Sequence, residues 1–119
     1  MMITIYHNPR CSKSRKTLEI LRGAGAEPVI VEYLKNPPDA TSIVHLATLL
    51  GVAVADLLRS TETEFRDATN LPPLDADAAL AAWIEEHPKV LQRPIVVNEE
   101  IQQAVIGRPP ETVLQLLER

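Results

Sequence analysis

The sequence contains a single cysteine, Cys11, among 119 residues. No disulfide can form within such a chain, and a lone thiol is typical of proteins that work in a reducing compartment. The sequence also lacks an apolar run long enough for a signal peptide or a membrane span, so we expect a cytoplasmic protein with no membrane partner. The net charge of −4 argues against a general nucleic-acid binder.

The positive charge that the chain does carry is concentrated around the cysteine. Residues 1–22 hold five basic side chains against one acid, a net +4, which leaves −8 for the rest of the chain. Arg10 and Lys13 lie within two residues of Cys11. Cations close to a thiol favour its thiolate form.

The N-terminal stretch predicts that Cys11 lies where a strand passes into a helix. Alternating residues 3–6 favour a strand, an Asn-Pro pair interrupts it, and Leu18 and Leu21 recur at helical spacing after the cysteine. The sulfur would then lie among the unpaired N–H groups of the first helical turn. A thiol pKa lowered from ~8.5 to ~6 changes the ionised fraction at neutral pH from about 3% to about 90%. Cys11 is therefore the predicted nucleophile.

The residues around Cys11 argue against three other chemistries. Ser14 occupies the position of the second cysteine of a dithiol oxidoreductase, so an outside thiol must resolve any disulfide on Cys11. Thr17 occupies the position of the arginine in a C-x5-R cysteine phosphatase loop. The three histidines show no metal-ligand spacing with the one cysteine: His7, His45 and His87.

Five further side chains are candidates for a site around the nucleophile. His7 can stabilise the thiolate or relay a proton, or simply form a loop hydrogen bond. Ser14 can donate to the sulfur or cap the helix. Three arginines lie at the ends of predicted elements: Arg59, Arg93 and Arg108. A guanidinium suits tetrahedral oxyanions through paired hydrogen bonds, although spacing alone favours a solvated surface position for each arginine.

The apolar pattern predicts four strands. A mostly apolar run at 29–33 predicts a buried strand parallel to the first, because a helix connects the two. Two β-like runs around a polar turn at 98–100 predict a hairpin. The element order is thus βαβ, a helical insertion, then ββα.

The helices of the insertion are predicted from their caps and spacing. Asp39 is a predicted N-cap for a helix that ends at Gly51, and Asp75 is a predicted N-cap for residues 76–86. A last helix is predicted to present three apolar residues: Val113, Leu114 and Leu117. We expect an α/β fold in one domain, residues 1–119, with a mixed four-stranded sheet and a helical insertion at about 39–87.

Five motifs in order resemble the glutaredoxin- and glutathione-dependent arsenate reductase family, the ArsC-like members of the thioredoxin-like superfamily. They extend over nearly the whole chain and comprise the Cys11 stretch, Asn36-Pro-Pro38, Leu57-Leu-Arg59, Arg93-Pro-Ile-Val-Val97 and Arg108-Pro. The sequence is most similar to a short bacterial branch. The resemblance implies a thioredoxin-like fold in which Pro94 is a cis proline beside the active cysteine.

The resemblance also implies a reaction. Cys11 would attack arsenate, glutathione would reduce the thiol-bound arsenic and form a mixed disulfide with Cys11, and glutaredoxin would remove that glutathione. The arginines at positions 59, 93 and 108 would bind the oxyanion, with His7 and Ser14 in support. Glutathione would serve as reductant, with no bound cofactor.

Two other functions stay open from the sequence. The first is a binding protein that resembles the Spx regulators, which share the fold and contact RNA polymerase; Ser14 removes the C-x-x-C pair of their redox-sensing members. The second is a glutathione-dependent reductase of another oxyanion or disulfide.

Overall fold

The computed structural model describes residues 2–117, which form two compact units. The first unit comprises Met1–Asn36 and Arg93–Arg119, and the second comprises Pro37–Gln92. One domain with an insertion at about 39–87 stays a prediction. No helix in the described part of the chain combines the length and apolarity needed to cross a membrane.

The first unit contains a four-stranded mixed sheet with the order β2-β1-β3-β4. Its strands are β1 (Ile3–His7), β2 (Val29–Glu32), β3 (Ile95–Asn98) and β4 (Gln103–Ile106). β1 pairs in parallel with β2 and antiparallel with β3, and β3 forms the predicted hairpin with β4. The predicted mixed sheet is therefore confirmed.

The burial predicted for the second strand is wrong. Val29 is 59% exposed and Ile30 is 39% exposed, because β2 lies at the edge of the sheet. A short apolar run has the same appearance in an edge strand and in a central one.

Helix α1 (Ser12–Gly23) connects β1 to β2 and packs on the core of the first unit. That core consists of Ile3, Ile5, Leu21, Val96, Val113 and Leu116. The last two residues belong to a 3₁₀ helix, Pro110–Leu116, rather than to an α-helix. Since a 3₁₀ helix repeats every third residue, it buries Pro110, Val113 and Leu116 and leaves the predicted core residue Leu114 40% exposed.

The second unit is helical, and its two longest helices pack against each other. Its helices are α2 (Ala40–Leu50), α3 (Thr63–Arg66) and α4 (Asp77–Glu86), with 3₁₀ turns at Val54–Leu57 and Pro88–Val90. The Asp39 cap is confirmed, because its carboxylate accepts a hydrogen bond from the Ser42 N–H at 2.8 Å. Gly51 ends α2 at a φ of 72°, which glycine adopts without strain.

The predicted Asp75 cap is wrong. Helix α4 begins at Asp77, one residue later than predicted, with Ala76 as its N-cap residue and no side-chain hydrogen bond at the cap. The buried face of α4 is Leu80, Ala81, Trp83 and Ile84.

Candidate active site

A tight turn holds Cys11 at the start of α1. The Cys11 N–H donates to the Asn8 carbonyl at 3.0 Å, and the Arg10 N–H donates to the Asn8 side-chain oxygen at 3.0 Å. Cys11 is the N-cap residue of α1, with extended backbone angles, and its carbonyl accepts the first helical bond from Arg15 N–H at 3.0 Å. The predicted passage from strand through cysteine to helix is confirmed.

Opposing influences on the thiol leave its pKa below the ordinary value. Burial raises the pKa of Cys11, but the backbone N–H groups of Ser14 and Lys13 hydrogen-bond the sulfur and lower it. The Arg93 side chain adds a hydrogen bond and the Arg108 charge adds attraction, and both lower the pKa further. These groups all favour the charged form, so the site stabilises a thiolate.

The chain brings Arg93 and Arg108 to this sulfur from far along the sequence. Arg108 Nη2 lies 3.8 Å from Cys11 Sγ, across 97 positions, while Arg108 Nε donates to the Arg93 carbonyl at 2.8 Å. The bond to the carbonyl holds the guanidinium in orientation and leaves an outer nitrogen directed at the sulfur. The Arg93–Pro94 peptide is cis, which confirms the expectation for Pro94, and the Arg108–Pro109 peptide is cis as well.

The residue before Arg108 is closely packed. A Cβ on Gly107 would lie 2.6 Å from Thr17 Oγ1 and 2.8 Å from Pro94 Cγ, so no larger residue fits without displacement. Thr17 is itself fixed, because its hydroxyl donates to the Lys13 carbonyl at 2.8 Å. Gly107 thus allows the segment carrying Arg108 to approach α1.

His7 and Ser14 form a buried pair beneath the cysteine turn. His7 Nδ1 lies 2.6 Å from Ser14 Oγ, and the same oxygen accepts from the Asn8 N–H at 3.1 Å. Burial lowers the pKa of His7, which favours a neutral imidazole. The Ser14 hydroxyl therefore contacts His7 and Asn8, whereas its backbone N–H contacts the sulfur.

Arg59, the third predicted arginine, belongs to the helical unit. Its N–H donates to the Val90 carbonyl at 2.6 Å, and its guanidinium pairs with Glu62 at 2.6 Å. Both side chains of the pair are mostly shielded from solvent. A carboxylate thus already neutralises this guanidinium.

Sequence reasoning missed three residues that shape the site: Asn8, Thr17 and Gly107. Asn8 had a signal, since an Asn-Pro pair is typical of turns in which the asparagine side chain bonds nearby backbone. Gly107 and Thr17 had none, because their close approach exists only after the strands pair.

The assembled groups suit a nucleophilic thiolate that attacks an anion. Two backbone N–H groups and two guanidinium groups surround one sulfur. They can stabilise the thiolate at rest and share negative charge with a bound oxyanion. Within residues 2–117, no group of three or more His, Cys, Asp or Glu side chains is arranged to hold a metal ion.

Comparison with known proteins identifies the family that the sequence motifs resemble, and the match extends over nearly the whole chain. Residues 6–116 match the model of the ArsC family. The chain is 42% identical to the protein named Arsenate reductase of Haemophilus influenzae, covering 98% of this chain and all of that one. It is 41% identical to the Escherichia coli protein named Uncharacterized protein YfgD, covering 97% and 96%. The solved structure titled as an arsenate reductase from Vibrio cholerae is 40% identical, superposes with a TM-score of 0.85 and covers 98% of both chains. The chain therefore belongs to the ArsC family.

Proposed function

We propose that this protein is an arsenate reductase whose nucleophile is Cys11. The observation that carries the proposal is the sulfur itself, which has a lowered pKa at a helix start and lies 3.8 Å from the Arg108 guanidinium. Relatives named arsenate reductase, 42% and 39% identical over nearly the whole of this chain, support arsenate as the oxyanion.

In the first step, the Cys11 thiolate attacks arsenic. A sulfur–arsenic bond forms, and one oxygen leaves arsenic as water after taking up two protons. Arg93 and Arg108 balance the negative charge of the thiolate and the oxyanion in turn. His7 and Ser14 hold the turn in position and keep the Ser14 N–H directed at the sulfur.

In the second step, a glutathione thiolate attacks the Cys11 sulfur. A sulfur–sulfur bond forms, the sulfur–arsenic bond breaks, and its electron pair goes to arsenic, which is reduced from As(V) to As(III) and leaves as arsenite. A glutaredoxin thiolate then attacks the glutathione sulfur and releases the Cys11 thiolate. Because the chain has one cysteine, an outside thiol is needed in each cycle, which supports this route in a reducing cytoplasm.

Arg59 is the third proposed oxyanion ligand. Its charge is paired with Glu62 in the described structure, so an oxyanion would share or replace that carboxylate. The proposed cycle uses no bound cofactor.

The test is arsenite production from arsenate by the purified protein with glutathione, with and without glutaredoxin. Cys11→Ser, which keeps the size of the side chain but removes the thiol, is expected to abolish turnover. Wild-type turnover in that variant would disprove the mechanism. If the wild-type protein makes no arsenite but Cys11 still exchanges with disulfides, the function is reduction of another substrate.

A further inference from the structure

Strand β2 has an open side. Within residues 2–117 it pairs with β1 alone, and it lies at one end of the sheet order. None of its four residues, Val29–Glu32, is buried. The backbone N–H and C=O groups on the outer side of an edge strand are available to a further strand.

The residues of β2 do little to protect this edge. Natural edge strands are commonly blocked by charged side chains, by proline or by a bulge. Val29, Ile30 and Val31 are consecutive, β-branched and uncharged, and Val29 is 59% exposed and Ile30 39% exposed. Pro28 precedes the strand, where its missing N–H limits the length of a further ladder but does not prevent one. The edge is therefore short, apolar and open.

The two ends of β2 carry opposite charges. Glu27 lies two residues before the strand, and Lys35 lies in the turn after it. The Lys35 N–H donates to the Glu32 carbonyl at 2.9 Å, which keeps Lys35 close to the end of the strand. Each charge has an exposed partner in its own chain, since Glu27 pairs with Arg22 at 3.3 Å and Lys35 with Glu32 at 3.6 Å. Pairs this exposed are weak, so both charges can interact with a second partner.

We propose that β2 pairs antiparallel with β2 of a second copy of this chain, which joins two four-stranded sheets into one continuous sheet. A two-fold axis at Ile30 places the two Ile30 side chains opposite each other. It also places Val29 of each copy opposite Val31 of the other, on the opposite face of the sheet. Pairs of β-branched side chains on neighbouring strands stabilise a sheet.

The charges favour the antiparallel direction. Antiparallel pairing brings the start of one strand beside the end of the other, so that Glu27 of each copy lies within reach of Lys35 of the other copy. Parallel pairing in register would place like charges together at both ends, which is repulsive. The strand is thus complementary to itself in shape and charge, and the two-fold contact closes at a dimer.

The test is sedimentation equilibrium of the purified full chain. Because the paired strands are short, we expect a weak interface, with monomer at about 10 μM and a growing fraction of dimer toward about 1 mM. Amide hydrogen exchange at the same concentrations locates the contact. Protection should rise with concentration in Val29–Val31 and should stay constant in β4, the strand at the other edge of the sheet.

Val29→Lys places a charge on the paired edge and is expected to abolish the dimer over this range. Val52→Lys, which alters a 40% exposed valine of the helical unit, is the matched control and should dimerise like the wild type.

Reversal of the terminal charges tests the direction of pairing. Glu27→Lys and Lys35→Glu are each expected to weaken dimerisation about two- to thirtyfold, because each dimer contains the altered contact twice. The double variant restores opposite charges across the interface and should regain most of the wild-type affinity. The matched control is the exchange Lys16→Glu with Glu19→Lys, an exposed pair on α1 that should have no effect.

Three results would overturn the proposal. The first is a wild-type protein that stays monomeric at every concentration, as expected if β2 instead accepts a strand of a different protein. The second is a dimer that persists in Val29→Lys or that protects β4. The third is growth beyond a dimer, which indicates an offset contact that does not close. None of these measurements involves arsenate, so the result is independent of the proposed function.

Discussion

The interiors of the two units differ in chemistry. Every buried polar side chain in residues 2–117 belongs to the first unit, which contains the sheet and is called the sheet unit below: His7, Asn8, Ser14, Thr17 and Asn98. The buried side chains of the helical unit are all apolar, from Ile43 to Leu91. Four of the five buried polar residues lie within six positions of Cys11.

This difference separates the parts of the chain that are built for stability from those built for reactivity. A buried polar group is tolerated only when it is hydrogen-bonded, and here those bonds fix the cysteine turn and the start of α1. Two of the three candidate arginines, Arg108 and Arg59, differ in the same way. Arg108 in the sheet unit contacts the sulfur, whereas Arg59 in the helical unit contacts a carboxylate.

A core truncation in the helical unit should produce the largest effect on stability and none on the thiol. Leu80→Ala is expected to lower the free energy of unfolding by about 2–5 kcal/mol, because Leu80 is fully buried. The Cys11 pKa should not change, since none of the groups that lower it belongs to the helical unit. Leu74→Ala, at a half-exposed position in the same unit, is the control. Urea unfolding measures the stability and thiol titration measures the pKa of Cys11. A shifted thiol pKa in Leu80→Ala would show that the helical unit also influences the thiol.

Arg108→Ala should do the opposite of Leu80→Ala, with a large effect on turnover and on the thiol and a small effect on stability. Arsenate turnover is expected to fall about 100- to 1,000-fold, the typical cost of removing an oxyanion donor. The Cys11 pKa should rise, so that reaction with iodoacetamide requires a higher pH. Stability should change little because the side chain is exposed. Arg108→Lys keeps the charge but not the paired donors, and an intermediate turnover is expected. Wild-type turnover and pKa in Arg108→Ala would contradict the assigned role.

Gly107→Ala tests whether the close packing before Arg108 serves the thiol. The added methyl group would overlap Thr17 and Pro94, which should cost about 1–3 kcal/mol of stability and displace Arg108. The Cys11 pKa should therefore rise as well. Gly23→Ala, where no atom lies within 4 Å of the added group, should leave both quantities near wild type. A stable Gly107→Ala protein with an unchanged thiol pKa would show that the segment is adaptable.

The buried imidazole of His7 should make stability depend on pH. Because burial lowers the pKa of His7, the unfolded chain takes up a proton below about pH 6.5 that the folded chain does not. Stability is therefore lost as pH falls below 6.5, by at most about 1.4 kcal/mol per pH unit. Urea unfolding of the wild type and of His7→Gln, above and below this pH, isolates the contribution. An equal pH dependence in both proteins would exclude His7 as its source.

Glu62→Gln should have the smallest effect on arsenate reduction, and it should favour the reaction, whereas the Arg108 variants impair it. The change frees Arg59 from its carboxylate partner, so the KM for arsenate is expected to fall about two- to fivefold. Glu64→Gln, which alters a looser contact with Lys89 in the same unit, is the control. A higher KM in Glu62→Gln would mean that Glu62 positions Arg59 rather than competing with the oxyanion.

The sequence predicted best where neighbouring residues determine the structure. The strand, turn and helix around Cys11 and the cap at Asp39 depend on residues a few positions apart, and both predictions are confirmed. The predicted cap at Asp75 is wrong because α4 begins at Asp77, with Ala76 as its N-cap residue. Asp75 and Asp77 both satisfy the local pattern of an acidic residue at a helix start, so the pattern does not distinguish them.

Reasoning from local pattern and spacing alone failed where the pairing of distant residues decides the outcome. The exposure of Val29 depends on which strand lies at the sheet edge. The approach of Arg108 to Cys11 depends on the β3–β4 hairpin and on the room at Gly107. Only the family resemblance connected those two residues, because their spacing in the sequence carries no information about it.

The strand order has a consequence for the protein as it leaves the ribosome. β1 lies between β2 and β3, so its second edge stays unpaired until Ile95–Asn98 have been made, whereas Pro37–Gln92 are contiguous and complete earlier. Cys11 is synthesised 97 positions before Arg108, and Arg93 also follows it far along the chain. During that interval the cysteine lacks the two cations that lower its pKa. Its full reactivity is therefore expected only after the β3–β4 hairpin and Arg108 have been made.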